Sequence, residues 1–163
     1  QLVDCDTVDN GCNGGWPPST YGEVKRLGGL QRQQDYPYVG VEQTCRMDKS
    51  KILAKIDGSI VLEKDEKKQA AWLAEHGPVA STLNANYLQY YESGISHPSR
   101  SECNPEGLNH AVLTVGYGTE NRVPYWIIKN SWGDAWGEGG YFRLYRGDGT
   151  CGIEKVVSSA TIR

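Results

Sequence analysis

Two stretches in the first half of the chain have helix signals, the first in its cap, length and stop residues and the second in its amphipathic pattern of apolar positions. The first stretch, residues 18–27, ends at two consecutive glycines, as a helix that stops there would. The second, residues 65–76, sets Ala, Trp and Leu among lysines and glutamates and is followed by a Gly-Pro pair. We predict one helix in each stretch. The turn-rich residues 33–46 between them are predicted to be irregular.

The second half of the chain has the pattern of β-strands. Val, Ile, Tyr and Trp are frequent in residues 108–117, 125–130 and 140–146, and glycines bound these runs. The chain contains no internal repeat and no low-complexity linker. We therefore expect a helical first half and a β-rich second half that pack together in an α+β fold.

Length and charge exclude several classes of protein. A chain of 163 residues is long enough for one domain or two closely packed lobes. Its formal net charge of -3, without a basic run, is not that of a typical nucleic-acid binder. No apolar stretch is long enough to cross a membrane. We expect neither nucleic acid nor a membrane among its partners.

The cysteines favour disulfides over a metal site. Their separations are long and irregular, unlike the short repeated spacings of zinc ligands, so no metal is predicted. An odd number leaves at least one thiol unpaired or with a partner outside the chain, and disulfides imply an oxidising compartment. The five stand at Cys5, Cys12, Cys45, Cys103 and Cys151.

A glycine-rich loop surrounds the second cysteine. Three glycines flank Cys12 and Asn13 within residues 11–15. Glycine is favoured where the backbone turns sharply or where another group must approach it closely. A loop that lines a ligand and a tight turn held by a disulfide both fit this composition.

The three histidines differ in their sequence surroundings. His76 ends the second predicted helix and His97 lies in a polar loop, so both are expected to be structural or simply exposed. His110 begins an apolar run, which places a titratable ring at the start of a strand. A buried histidine with a structural hydrogen bond would give the same pattern.

Asn130 is the second candidate for chemistry, because it follows an apolar strand and lies two residues before Trp132. Its side-chain oxygen can accept a hydrogen bond from one imidazole nitrogen and so direct the other nitrogen towards a nucleophile, without adding a buried charge. Taken alone, Asn130 could also simply end the strand.

Several motifs in the same order resemble those of papain-like cysteine proteases, and together they span the whole chain. Residues 71–75 and 94–98 resemble most the cathepsin F-like branch of that family. The motifs are LVDCD at 2–6, GCNGG at 11–15, LNHAV at 108–112, YWIIKNSWG at 125–133, WGEGGY at 136–141 and CGI at 151–153.

The resemblance implies a papain-like two-lobe fold and a cysteine-type endopeptidase. Residues 1–76 would be the remainder of the helical lobe and the crossover, and residues 77–163 the β-rich lobe that carries the histidine and the asparagine. Peptide and protein substrates, a propeptide, cystatin-type inhibitors, a monomeric state, no cofactor and a lysosomal or secreted location are implied with it.

The resemblance also implies roles for individual residues. His110 would be the base that pairs with the catalytic thiol, Asn130 would orient it, and Trp132 would cover their hydrogen bond. The walls of the subsite for the residue two before the cut would be small and uncharged, which favours an aliphatic side chain. The implied substrate-binding residues are Gly14, Gly15, Trp16, Pro17, Thr82, Leu108, Asn109, Ala111 and Val156.

The family pattern would join Cys5 to Cys45 and Cys103 to Cys151, and would pair Cys12 with a cysteine in the segment that carries the nucleophile. The 163 residues contain no match to that segment, with its nucleophilic cysteine and oxyanion glutamine. We therefore expect Cys12 to be unpaired here and these residues alone to be inactive. A catalytically dead, peptide-binding homologue is the alternative.

Overall fold

The computed structural model describes residues 1–162, which divide into two units. The first unit comprises Gln1–Ile60 and the end of the chain from Ser159, and the second comprises Val61–Ser158. The second predicted helix falls in the second unit. The lobe boundary predicted between residues 76 and 77 stays a prediction.

The elements combine short helices with a larger number of strands, so the α+β class is confirmed. Within the described residues, no helix is both long enough and apolar enough to span a membrane. The helices are α1 Leu2–Cys5, α2 Pro17–Leu27 and α3 Glu66–His76, and the strands are β1 Leu30–Gln31, β2 Ile52–Ala54, β3 Gly58–Val61, β4 Val79–Leu83, β5 Ile95–Ser96, β6 His110–Glu120, β7 Val123–Lys129, β8 Tyr141–Tyr145 and β9 Val157–Thr161.

Helix α2 confirms the first predicted helix and gives the first unit its buried face. Proline at its first position suits a helix start, and Gly28 ends it in the left-handed conformation with φ +85°. Asp9 accepts hydrogen bonds from Trp16 N (2.9 Å) and Thr20 Oγ1 (2.8 Å), which satisfies donors at the start of the helix. The strands β1 and β2 pair antiparallel in the same unit.

Helix α3 confirms the second predicted helix. Asp65 caps it by accepting hydrogen bonds from Lys67 N (2.9 Å) and Lys68 N (3.2 Å), and the helix buries Ala70 and Leu73. These two residues belong to the main apolar core of the second unit.

A sheet forms the body of the second unit, with strand order β9-β4-β6-β7-β8-β5. Neighbours pair antiparallel except β5 and β8, which are parallel. Its strands β6, β7 and β8 confirm the predicted strands, although β6 extends three residues beyond the predicted end at 117. Strands β4 and β9 were not predicted from the hydrophobic pattern. The most deeply buried apolar side chains are Leu83, Leu88, Ile128, Phe142, Leu144 and Val157.

One disulfide lies within each unit. Cys5 is bonded to Cys45 in the first unit, and Cys103 to Cys151 in the second. This is the pairing that the family resemblance implies. Among the described residues Cys12 is the free cysteine, and it is exposed.

Candidate active site

A β-bulge in the hairpin of β6 and β7 determines which side chains share a face. Glu120 pairs with Val123 and Gly116 with Ile127, but Thr114 pairs with Ile128, so Val115 is the extra residue. Extending the register by two residues places Val112 opposite Asn130 on the buried face. His110 lies on that same face, two residues before Val112, because side chains alternate along a strand.

Asn130 holds the ring of His110 in one orientation. Its Oδ1 lies 2.8 Å from His110 Nε2 and also accepts a hydrogen bond from Ser131 N at 2.8 Å. The backbone N–H of Ser131 can only donate, which fixes the oxygen of the amide at this position. His110 must therefore donate from Nε2, and its Nδ1 is left as the nitrogen that can accept or deliver a proton.

An aromatic side chain covers this hydrogen bond. The Trp132 ring lies over His110, with ring centroids 5.3 Å apart and planes 29° apart. Trp136 meets Trp132 edge-on at 5.1 Å. Asn130 is buried, whereas His110 is only partly so, which leaves the imidazole reachable from solvent.

The loop that carries Asn130 and Trp132 is braced by an ion pair. Glu138 binds Arg143 on β8 through two hydrogen bonds of 3.0 and 2.8 Å and also accepts from Gly94 N at 2.8 Å. The Arg143 guanidinium lowers the pKa of the Glu138 carboxyl, so this brace stays charged. Sequence reasoning missed both residues. The only signal was an acid inside a Trp-Gly-rich motif.

A cavity of about 410 Å³ opens beside His110. Asn109 helps to shape it, because its Oδ1 accepts from Ala85 N at 2.8 Å and its Nδ2 donates to Asn86 Oδ1 at 2.9 Å. The structure thus brings Asn109, His110 and Trp132 to one surface. The lining residues are Ala85, Asn86, Gln89, Asn109, His110 and Trp132.

The resemblance implies Thr82, Leu108, Ala111 and Val156 for the subsite of the residue two before the cut, and all but Leu108 are neighbours in the sheet region. Thr82 pairs with Ala111 across β4 and β6, and Thr82 N donates to Val156 O at 3.1 Å. Leu108 is half-buried, and its Cδ2 would lie 2.8 Å from a Cβ added at Gly152. No charged side chain is contributed by this set.

The predicted residues of the glycine loop lie in the first unit. Gly14, Gly15 and Trp16 are exposed and Pro17 is half-buried. Gly14 has φ +113°, a conformation that favours glycine. A Cβ on Gly15 would lie 3.1 Å from the side chain of Asp9, which accepts hydrogen bonds from Trp16 and Thr20, so a larger residue there would crowd that side chain.

The other two histidines have structural partners. His76 stacks on Trp72 at 3.9 Å, and His97 stacks on Tyr145 at 3.9 Å and pairs with Asp148 at 2.8 Å. Within residues 1–162, no group of three His, Cys, Asp or Glu side chains could hold a metal ion.

Comparison with known proteins decides the family. The sequence model of the family described as papain family cysteine protease matches residues 1–161. The chain belongs to this family. Cathepsin F of Mus musculus is 48% identical to this papain-family chain over 99% of its residues, and the viral cathepsin of Spodoptera litura multicapsid nucleopolyhedrovirus is 46% identical over 99%.

A solved structure of the family also has the same fold. Digestive procathepsin L 3 of the Tenebrio molitor larval midgut superimposes with a TM-score of 0.93 at 37% identity and covers 99% of this papain-family chain. The chain spans only 35% of the mouse relative, 47% of the viral one and 54% of the insect structure. The activity of the whole protein is therefore taken up below as a proposal.

Proposed function

We propose that the protein is a cysteine-type endopeptidase in which His110 is the general base and acid and Asn130 orients it. The observation that carries this proposal is the 2.8 Å hydrogen bond between His110 Nε2 and Asn130 Oδ1 beneath the Trp132 ring. Membership of a family of cysteine proteases supports it. His110 also lines an open cavity, which a merely structural histidine would not require.

The nucleophile is proposed to be a cysteine of the complete protein outside these 163 residues. Four of the five cysteines present form disulfides. The fifth, Cys12, occupies a position that the family uses for another disulfide. Residues 1–163 are accordingly expected to be inactive by themselves.

The reaction follows from the fixed orientation of the imidazole. His110 Nδ1 takes the proton of the thiol, and the resulting thiolate attacks the carbonyl carbon of the peptide. Nδ1–H then protonates the leaving nitrogen as the C–N bond breaks, which leaves a thioester. Nδ1 next removes a proton from water, whose oxygen attacks the thioester and releases the acid and the thiol. Asn130 keeps Nε2–H occupied throughout.

The walls of the subsite support a preference for an aliphatic residue two before the cut. Thr82, Ala111 and Val156 are neighbours, and with Leu108 they present small or apolar side chains without charge. In the first unit, the exposed backbone of Gly14 is proposed to pair with the extended substrate. Gly15 would share this role, and Trp16 and Pro17 would flank the bound peptide.

The partners and location proposed for the protein follow from the same assignment. A propeptide is supported by the similarity to procathepsin structures. Cystatin-type inhibitors and a monomeric state are proposed with it. The two disulfides support an oxidising compartment, either the lysosome or the outside of the cell.

The test is hydrolysis of a dipeptidyl fluorogenic amide that has an aliphatic residue second from the cut. The complete protein should cleave it, a thiol-directed epoxide should abolish the activity, and His110→Ala should remove it while the protein stays folded. Residues 1–163 alone should release no fluorophore. A folded complete protein that binds the peptide without cleaving it would instead be a peptide-binding homologue.

A further inference from the structure

A second cavity of the β-rich unit has no role in the proposed reaction. It measures about 530 Å³, within the range of ligand sites in proteins. Three tyrosines and two glutamates contribute to its walls, and no lysine or arginine among the described residues does. The lining residues are Tyr87, Tyr90, Tyr91, Glu92, Ser93, Ile95, Ser96, His97, Pro98 and Glu102.

The walls of this cavity, here the Tyr90 cavity, are held in place by the sheet. The Tyr91 hydroxyl donates to Gly94 O at 2.7 Å and accepts from Arg143 N at 3.1 Å. Ile95 pairs with Arg143 in the parallel ladder of β5 and β8. Binding there would therefore require little ordering of the protein, which favours affinity.

Two groups on the walls are available to a ligand. The Tyr90 side chain is 75% exposed, so its ring is open to a ligand. Glu92 is exposed and, within residues 1–162, forms no ion pair. Glu102 adds a second negative charge, because hydrogen bonds from Ser99 lower the pKa of its carboxyl. The Nε2 of His97, which also lines the cavity, is 2.8 Å from Asp148 Oδ2 and is therefore already engaged.

A buried hydroxyl on the same wall also lacks a partner. Ser96 is 8% exposed, and in the part of the chain that the structure describes its Oγ makes no hydrogen bond. Buried polar groups are normally satisfied by protein, water or ligand. This oxygen is closed to solvent, so a ligand in the cavity would be held by the exposed Tyr90 and Glu92 and not by Ser96.

The position of the cavity relates it to the substrate. The single-turn 3-10 helix Leu88–Tyr90 separates it from the cavity beside His110, because Gln89 lines that cavity whereas Tyr90 lines this one. His110 protonates the leaving nitrogen in the proposed reaction, so the part of the substrate after the cut lies on the side of His110 and Trp132. The two cavities adjoin along this turn, so a peptide that crossed it after the cut would enter the Tyr90 cavity.

We propose that the Tyr90 cavity is an exosite that binds a lysine or arginine side chain of the substrate, several residues after the scissile bond. An exposed tyrosine ring and an unpaired carboxylate are complementary to a cation, and no basic wall opposes it. The inference rests on the proposed function, since it extends the same substrate beyond the cut.

The experiment compares internally quenched peptides cleaved by the complete protein. All carry the same aliphatic residue two before the cut, and an arginine is moved through the second to sixth positions after it, with glutamine and glutamate as replacements. We expect kcat/KM to be about five- to ten-fold higher with arginine than with glutamine at one of these positions. Glutamate should be worse than glutamine. The preference should vanish in 1 M salt.

Matched variants locate the effect. Glu92→Gln and Tyr90→Ala should each remove most of the arginine preference and leave hydrolysis of the dipeptidyl amide, which has no residue after the cut, unchanged. Glu75→Gln, an exposed acid on α3, and Tyr38→Ala, a tyrosine 67% exposed in the first unit, should keep the preference. Equal kcat/KM for arginine and glutamine at every position would overturn the proposal, as would a preference that survives both cavity variants.

Failure of the exosite is distinguishable from failure of the protease assignment. If the dipeptidyl amide is not hydrolysed, the proposed function fails, and fluorescence anisotropy of a labelled arginine peptide then tests the cavity alone. Binding that Glu92→Gln weakens supports the exosite. Binding indifferent to that change overturns it.

Discussion

At the scale of single residues, the candidate site depends on one amide that accepts twice. Asn130 Oδ1 accepts from His110 Nε2 and from Ser131 N, each at 2.8 Å. Its Nδ2, although buried, has no hydrogen-bond partner within residues 1–162. The oxygen therefore accounts for the orientation of the ring, and the nitrogen contributes little to it.

Asn130→Ala in the complete protein should lower kcat/KM by about a hundredfold, because the freed imidazole loses its preferred orientation. Asn130→Asp keeps the acceptor and loses an NH2 group without a partner, although it adds a buried carboxylate beside the imidazole, so its loss should be smaller than that of the alanine variant. Peptidase assays with melting curves check both. An alanine variant as active as the parent would remove Asn130 from the mechanism.

A second single-residue prediction concerns Glu23, whose carboxylate is buried in α2. Hydrogen bonds from Arg26 and then from Thr7 lower the pKa of Glu23 from its ordinary value of 4.5 to about 2. Because the folded pKa lies below the unfolded one, the stabilisation is fully present above about pH 4.5 and is lost as the pH falls towards 2.

Glu23→Gln should therefore destabilise the complete protein at pH 6 and should matter progressively less below pH 4.5. Chemical denaturation followed by circular dichroism at several pH values measures this difference. Glu75→Gln, at an exposed position, serves as the control. A Glu23→Gln penalty that stays constant down to pH 2 would contradict the assignment.

At the scale of elements, the loop between β7 and β8 carries the site and β8 braces it. Glu138 ties the loop to Arg143 on β8 and to Gly94 before β5. The bidentate geometry requires a planar guanidinium, which lysine cannot reproduce. Arg143 also reaches Glu120 at 3.2 Å.

Arg143→Lys should consequently loosen the loop that holds Trp132 over His110. We expect a several-fold fall in kcat, a shift in the acidic limb of the pH profile and altered tryptophan fluorescence, with KM little changed. Arg122→Lys, in the β6–β7 turn, is the control. If Arg143→Lys changes thermal stability alone, the ion pair of Glu138 and Arg143 has no part in positioning Trp132 over His110.

The sequence predicted the elements with apolar patterns and missed those built from small polar residues. Strands β4 and β9 read VASTL and VSSAT, and they bury Ser81 and Ser158. The Ser81 hydroxyl is 2.8 Å from Thr114 Oγ1, and this hydrogen bond makes its burial acceptable. Such partners come from distant strands, so local hydrophobicity cannot reveal them.

The candidate site was only partly predictable for a related reason. His110 and Asn130 could be nominated from their motifs, but their meeting depends on the bulge at Val115. A regular ladder would set Asn130 opposite Leu113 and turn His110 to the other face. Nothing in the local pattern around residue 115 signals the extra residue.

At the scale of the whole molecule, each unit closes a long loop with its own disulfide. The Cys5–Cys45 bond spans 40 residues, and the Cys103–Cys151 bond spans 48. Bridges that close loops of this length restrict the unfolded chain strongly. Cys103 and Cys151 are also almost completely buried.

Replacing Cys103 and Cys151 by serine should destabilise the β-rich unit of the complete protein by about 2–5 kcal/mol. Denaturant unfolding with and without reductant measures the loss, and Cys5→Ser with Cys45→Ser is the parallel change in the other unit. The reduced parent should be at least as unstable as a protein in which all four of these cysteines are replaced, because reduction also breaks the disulfide proposed for Cys12. Equal stability of the oxidised parent and the Cys103–Cys151 double variant would contradict the expectation.

The bulge in the β6–β7 hairpin also divides the hairpin into a part that tolerates changes in length and a part that does not. The turn of the hairpin contains Asn121 and Arg122, with φ values of +49° and +67°. The bulge lies between this turn and His110. Insertions at this tip can lengthen the loop without altering the strand register. A single-residue insertion or deletion between Val115 and the histidine would invert the alternation, so homologous chains should vary in length at the tip and keep a constant count near the site.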